Sequence, residues 1–90
     1  MLNTLENLIK LVRERKLSPL KGSYTNKLLT DKSLVKEKVL EEINELIEAV
    51  EKNTNKIHEA ADVFYHLLIY LEANDIKIEE VMSELQKRKK

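Results

Sequence analysis

The sequence predicts an all-α fold: a small antiparallel bundle of four main helices plus a short loop helix, in a single domain over residues 1–90. Three observations carry this. Glycine and proline occur once each, at Gly22 and Pro19, so most of the chain is free of breakers. Outside that pair, apolar residues recur at spacings of three and four. A hydrophobic content of 42% beside 36% charged residues suffices for a core with solvated faces.

The elements follow in order. Residues 2–16 place Leu5, Leu8, Ile9 and Val12 on one helical face. A loop runs from Leu17 through Gly22, and Ser23 caps a short helix over 24–30. Ser33 is the expected cap of a helix over 34–52. Asn53-Thr54-Asn55 forms a tight polar turn, which makes the helix over 56–73 an antiparallel neighbour of the one before it. Asn74-Asp75 breaks the chain again, and a last helix over 78–88 presents Val81, Met82 and Leu85.

The two central helices differ. In 34–52, Val35, Val39, Ile43, Leu46, Ile47 and Val50 form one stripe, with the charged residues opposite and Glu42 at the stripe's edge. In 56–73, apolar residues wrap most of the circumference, the mark of a buried helix. Glu59, Asp62 and His66 interrupt it within one narrow sector. A carboxylate buried without a partner is costly, so it must be paired, protonated or bound to a cation.

Composition excludes several classes of function. Without cysteine there is no disulfide framework and no thiolate-ligated zinc or iron–sulfur site. One glycine cannot build a glycine-rich phosphate loop. No apolar run reaches the ~18 residues of a membrane span. The start, Met1 to Glu6, lacks the basic region and cleavage pattern of a secretory signal, and the cysteine-free chain suits a cytoplasmic location. Net charge is zero but unevenly spread: +5 over residues 1–36, −9 over 37–86 and +4 over Lys87–Lys90. A basic third beside an acidic centre suits an anionic ligand met by cations and an acidic metal site; it equally describes solvated helix faces. The basic tail is too short to argue for nucleic-acid binding.

The chemistry gathers in the acidic centre. Glu41, Glu42 and Glu45 stand at i, i+1 and i+4 on one helix, and Glu59 and Asp62 at i and i+3 on the next. A short turn lets the two groups converge. Carboxylates alone make a hard, all-oxygen site suited to Mg²⁺ or Mn²⁺ rather than Zn²⁺. Each half also has a plain structural reading. The 41–45 acids alone describe a solvated face. Glu59 and Asp62 serve equally as partners of Lys or Arg from the first helix or a second subunit. His66 serves as a core histidine bonded to the Asp62 carboxylate.

Glu41-Glu42-x-x-Glu45 followed by Glu59-x-x-Asp62 resembles the EExxE…ExxD signature of the all-α nucleoside triphosphate pyrophosphohydrolases, the MazG-like superfamily. Within it, Gly22-Ser23-Tyr24-Thr25-x-Lys27-Leu28 is similar to the GSYTxKL segment of the phosphoribosyl-ATP pyrophosphohydrolase family. Residues 59–68 are similar to that family's EAADLLYHLL helix, and 78–85 to its LEDVLxEL helix. Leu40 departs from the family's small residue, and Ser18-Pro19-Leu20-Lys21 departs from its Pro-Pro-Glu approach to the GSYT segment.

The resemblance implies Mg²⁺-dependent hydrolysis of the α–β phosphoanhydride of phosphoribosyl-ATP, a step of histidine biosynthesis. It implies a homodimer with a shared bundle core. Under it, Glu42, Glu45, Glu59 and Asp62 are the expected metal ligands, and Glu41 orients or deprotonates water. Arg15, Ser23, Tyr24, Thr25, Lys27, Lys38 and His66 are the expected substrate-binding residues. Two other readings stay open: a MazG-like hydrolase of ordinary or damaged nucleoside triphosphates, and a non-catalytic helical dimerisation module.

Overall fold

A computed structural model describes residues 2–89; Met1 and Lys90, the last residue of the basic tail, lie outside the described residues. All five elements are helices: α1 (Asn3–Leu17), α2 (Tyr24–Thr30), α3 (Lys32–Lys52), α4 (Lys56–Ala73) and α5 (Ile78–Lys87). The fold is all-α, as the spacing of apolar residues predicts. α3 and α4 form the principal antiparallel pair, and α2 lies against both. α1 packs on α2 and α4, and α5 packs on α4.

Local chemistry sets the joints. Leu20 to Ser23 form a turn closed by Ser23 N–H on the Leu20 carbonyl at 3.0 Å. Gly22 holds φ 84° there, the left-handed geometry that a type II turn demands at its third position. Ser23 then caps α2 as expected, its hydroxyl accepting from Asn26 N–H at 3.3 Å. The cap of α3 differs from the expectation. Asp31, not Ser33, accepts from Leu34 N–H at 3.0 Å, and the helix starts two residues early at Lys32. Asp31 is non-helical (φ −122°), which aims its carboxylate back at the free N–H groups; Ser33 is already inside the first turn.

The core gathers Val12, Leu28, Leu29, Val35, Ile69 and Ala73, with Leu8, Leu34, Tyr65 and Tyr70 packed around them. Each of the first four helices contributes. Two expectations of burial are only partly met. α4 buries Leu68, Ile69 and Ala73 near its C-terminal end, but Ile57 is 88% and Phe64 59% exposed. On α5 no residue is buried, and Met82 and Leu85 stay exposed. In this chain alone no helix covers those faces.

Cations on α1 fasten the far end of the bundle. The Arg13 Nε donates to the buried Glu72 carboxylate at 2.9 Å, and its two terminal nitrogens grip Glu79 at 2.7 and 2.6 Å. Lys16 donates to the Glu72 carbonyl at 2.6 Å and to Asp75 at 2.7 Å. Positive charge thus meets the C-terminal end of α4, where the helix dipole is negative. The Arg13 guanidinium pulls the Glu79 carboxyl down to about 2. Arg13 therefore ties α1 to both α4 and α5. Replacing it by methionine (Arg13→Met) leaves the buried Glu72 charge unpaired, a loss on the order of 1–3 kcal/mol. Thermal unfolding should show a drop of several degrees, and Glu79→Gln a much smaller one; equal melting of R13M and wild type would remove the clamp.

Candidate functional site

The α3–α4 turn builds the site. Asn53 and Asn55 both take left-handed backbone angles (φ 54° and 45°), which asparagine tolerates. The Thr54 N–H returns to the Ala49 carbonyl at 2.9 Å, ending α3 tightly. So short a turn lays α3 and α4 side by side in opposite directions. Glu45 meets Glu59, and one turn farther along Glu42 meets Asp62.

The acids that the spacing singled out thus form two groups, one on each helix, whose charges act on one another across the pair. One carboxylate oxygen from each of Glu41, Glu42 and Glu45 lies within 4.8 Å of the others. The same holds for one ligand atom from each of His58, Glu59 and Asp62. The Glu45 carboxyl bears on both Glu42 and Glu59, pushing each upward. Glu42 is only 7% exposed, and its Oε2 is buried with no hydrogen-bond partner. The Glu59 Oε2 is likewise buried and unpartnered.

Among the described residues, no Lys or Arg pairs with Glu42, Glu45, Glu59 or Asp62. The α1 cations, one expected source of neutralisation, are engaged at Glu72, Asp75 and Glu79 instead. His58, exposed on the first turn of α4, approaches the cluster, its Nε2 3.4 Å from Asp62 Oδ2. Burial pushes the Glu42 carboxyl up to about 7, helped by Glu45, Asp62 and Glu41 beside it. Glu59 moves the same way, through burial first and Glu45 second, with His58 opposing. These are the responses of like charges crowded away from water.

The remaining predicted residues fall into two groups. Around the cluster, Glu41 is exposed and pairs with Lys38 at 3.3 Å, which raises the Lys38 pKa. Tyr24 leaves α2 toward the same place. Its ring stacks on Tyr65 (centroids 6.4 Å apart, planes 12°), and its hydroxyl meets His66 Nε2 at 3.1 Å. Burial raises the Tyr24 hydroxyl pKa, and the Lys38 charge opposes that rise. His66 is 6% exposed, with Nδ1 2.7 Å from the Asp62 main-chain carbonyl. It thus engages the backbone of Asp62, not the carboxylate, because the ring turns back along its own helix. The Asp62 carbonyl can only accept, so Nδ1–H donates there and Nε2 is the ring nitrogen that meets the Tyr24 hydroxyl.

The second group is held elsewhere. Ser23 spends its hydroxyl on the α2 cap. Thr25 is buried, its hydroxyl 2.6 Å from that of Tyr65. Lys27 is exposed beside the groove that runs along Gly22 and Tyr24. Arg15 stays on α1, where its carbonyl accepts from Asn26 Nδ2 at 2.7 Å and its Nε is buried without a partner. No hydrogen bond or ion pair joins Arg15 or Lys27 to the carboxylates among the described residues. His58 escaped the sequence reading. His58 stands four residues before Asp62, a spacing that already signals a shared face; the Tyr65–Thr25 bond joins two helices and has no local signal.

Comparison with known proteins identifies the relatives of this chain. A model of the phosphoribosyl-ATP pyrophosphohydrolase family matches residues 5–89. The chain is 43% identical over 94 residues to the phosphoribosyl-ATP pyrophosphatase of Bacillus cytotoxicus, covering 98% of this chain and 85% of that protein. It is 35% identical over 95 residues to the phosphoribosyl-ATP pyrophosphatase of Methanocella arvoryzae, with both chains fully covered. It is 42% identical over 90 residues to the histidine biosynthesis bifunctional protein HisIE of Pyrococcus furiosus, covering 99% of this chain but 43% of that longer protein. With a family model spanning all five helices and relatives matching end to end, the chain belongs to the phosphoribosyl-ATP pyrophosphohydrolase family.

Proposed function

We propose that this protein hydrolyses the α–β phosphoanhydride of phosphoribosyl-ATP, yielding phosphoribosyl-AMP and pyrophosphate. The observation that carries the reading is the carboxylate cluster: Glu42 is buried with a free oxygen near Glu45, Glu59 and Asp62, and among the described residues no Lys or Arg pairs with any of the four. Four crowded carboxylates with orphaned oxygens fit a divalent cation, and an all-oxygen donor set favours Mg²⁺ or Mn²⁺. Glu42, Glu45, Glu59 and Asp62 would hold it. Bound there, the ion would polarise the phosphoryl group and offset charge on its oxygens.

The chain's own residues supply the rest. Water oxygen forms a bond to the α-phosphorus while the bond from that phosphorus to the bridging oxygen breaks. Pyrophosphate leaves with the electron pair, and the water's proton passes to a carboxylate. Glu41 fits that role, being exposed at the edge of the cluster. Lys38 beside it meets phosphate oxygens, with Lys27 and Arg15 as further cations along α2 and α1. Tyr24, held by His66, lines the nucleotide side. Ser23 and Thr25 act by fixing where Tyr24 enters.

The same reading carries a cytoplasmic location, which the cysteine-free composition suits. It also carries a homodimer. Leu40, Ile43, Ile47 and Val50 form an exposed apolar stripe on α3, and Ile57 and Phe64 stay open on α4. Such faces on a small bundle suit a second copy around a two-fold axis.

Purified protein with Mg²⁺ should hydrolyse phosphoribosyl-ATP, and Glu42→Gln and Asp62→Asn should reduce turnover by at least ~100-fold. Turnover confined to ordinary deoxynucleoside triphosphates would move the assignment to the wider superfamily. No turnover at all would favour a dimerisation module.

Proton linkage gives a second test. The folded Glu42 pKa of about 7 lies above its ordinary 4.5, so between those values the metal-free fold holds a proton that the unfolded chain releases. That contribution is complete below about 4.5 and is lost as pH rises through about 7. Glu79 acts oppositely, its stabilisation fading as pH falls toward about 2. Melting temperatures in chelator should therefore fall from pH 5 to 8. Mg²⁺ should restore them at pH 8, and E42Q should flatten both responses. A pH-independent melt would contradict the crowding.

Sedimentation should find a dimer. Replacing Ile47 with Glu (Ile47→Glu) should yield monomers; a monomeric wild type would reject the shared core.

A further inference from the structure

The chain has two histidines, in unlike positions. His66 is 6% exposed, and both its ring nitrogens are engaged, by the Asp62 carbonyl and the Tyr24 hydroxyl. His58 is largely exposed and precedes the 59–68 segment that carries the family resemblance. Its Nε2 faces the Asp62 carboxylate at 3.4 Å. That separation exceeds the roughly 2.7–3.2 Å of an ordinary N–H···O bond. It matches the spacing of two donors on one ion, since ligands about 2.1 Å from a tetrahedral metal stand roughly 3.4 Å apart. Glu59 completes the group, one ligand atom from each of the three lying within 4.8 Å of the others.

Helix geometry explains the grouping. Side chains four apart lie on one face, and helices use that spacing when two residues hold one zinc ion. Glu59 and Asp62, three apart, share the face as well. Burial points the same way. Glu59 Oε2 is buried with no hydrogen-bond partner, and Glu42, more than nine-tenths buried on the neighbouring helix, keeps an orphaned oxygen. The Asp62 charge acts on that Glu42 carboxyl. A lone exposed His–Asp pair is an ordinary surface contact. Beside two desolvated, unpartnered carboxylate oxygens it forms the rim of an ion site. The rim is open, with the Asp62 side chain 36% and His58 72% exposed, which leaves space for water on a bound ion.

We propose that His58 is a metal ligand in this chain: its Nε2, with the carboxylates of Glu59 and Asp62, binds first-row transition ions that favour imidazole, such as Co²⁺, Ni²⁺ and Zn²⁺. The inference rests on the cation site proposed above and adds a nitrogen donor to it. Carboxylates alone suit Mg²⁺, whereas an imidazole adds affinity for the transition ions and little for Mg²⁺. His58 therefore sets which ion the centre keeps when both kinds are present.

Calorimetric titration of the tag-free full chain at pH 8 with Ni²⁺ and, separately, with Mg²⁺ tests this. His58→Gln should weaken Ni²⁺ binding at least about tenfold and leave Mg²⁺ within about twofold. In isotope-labelled protein, Zn²⁺ should move the Nε2 resonance of His58 more than that of His66. Equal Ni²⁺ affinity in wild type and H58Q would overturn the proposal. So would equal weakening of both ions, which would make His58 a structural residue, or a Zn²⁺ shift centred on His66. Glu42→Gln reports separately on the carboxylates. Mg²⁺ binding untouched by E42Q would reject the carboxylate centre itself, whereas Ni²⁺ binding untouched by H58Q rejects only the nitrogen donor.

Discussion

Mutual repulsion among carboxylates held between α3 and α4 is the constraint on which this molecule's chemistry depends. Glu42 has lost nearly all its water and gained no partner for one oxygen, while Glu45, Glu59 and Asp62 add negative charge around it. A protein stable only by a modest margin does not keep such a cluster for packing. Apolar residues at those positions would stabilise the helix pair better. The cluster is tolerable when a proton or a cation compensates it, and burial with neighbouring acids accordingly pushes the Glu42 carboxyl upward.

The rest of the bundle serves that placement by keeping other charges occupied. Arg13 and Lys16, the cations of α1 most able to neutralise α4, are committed at its far end to Glu72, Asp75 and Glu79. The acidic residues of α4 are thereby split into two sets with different fates. Glu72 is a structural anchor with a guanidinium; Glu59 and Asp62 are left for the groove. Near the groove, His66 links the main chain of Asp62 to the hydroxyl of Tyr24, so the loop before α2 is positioned by a residue that also bears on the cluster. Placement of Tyr24 and strength of the site are physically connected through that one imidazole.

The exposed apolar residues belong to the same picture. A chain of 90 residues encloses little volume, and four helices cannot both surround α4 and leave the α3–α4 groove open to a ligand. The core is concentrated toward the C-terminal end of α4, around Ile69 and Ala73. The N-terminal half of that helix, with Ile57 and Phe64, and the outer stripe of α3 are left without cover by this chain.

How much of this was legible in advance depends on the range of the interaction. The sequence by itself determined the helices, their order, the Asn53–Asn55 turn and the two acidic groups, because each is governed by neighbours within four residues. It also set Glu41, Glu42 and Glu45 on one helix against Glu59 and Asp62 on its antiparallel neighbour, while the choice of four expected metal ligands among them came from the family resemblance. Asp31 taking the cap from Ser33 lies at the edge of that legibility: both are good caps, and only the backbone angle at Asp31 separates them. Tertiary structure alone decided which acid loses its water, that Arg13 serves Glu72 and Glu79 instead of Glu59 or Asp62, and that His66 faces a carbonyl and Tyr24. Those outcomes depend on distances between residues far apart in the chain, which periodicity along one helix does not encode.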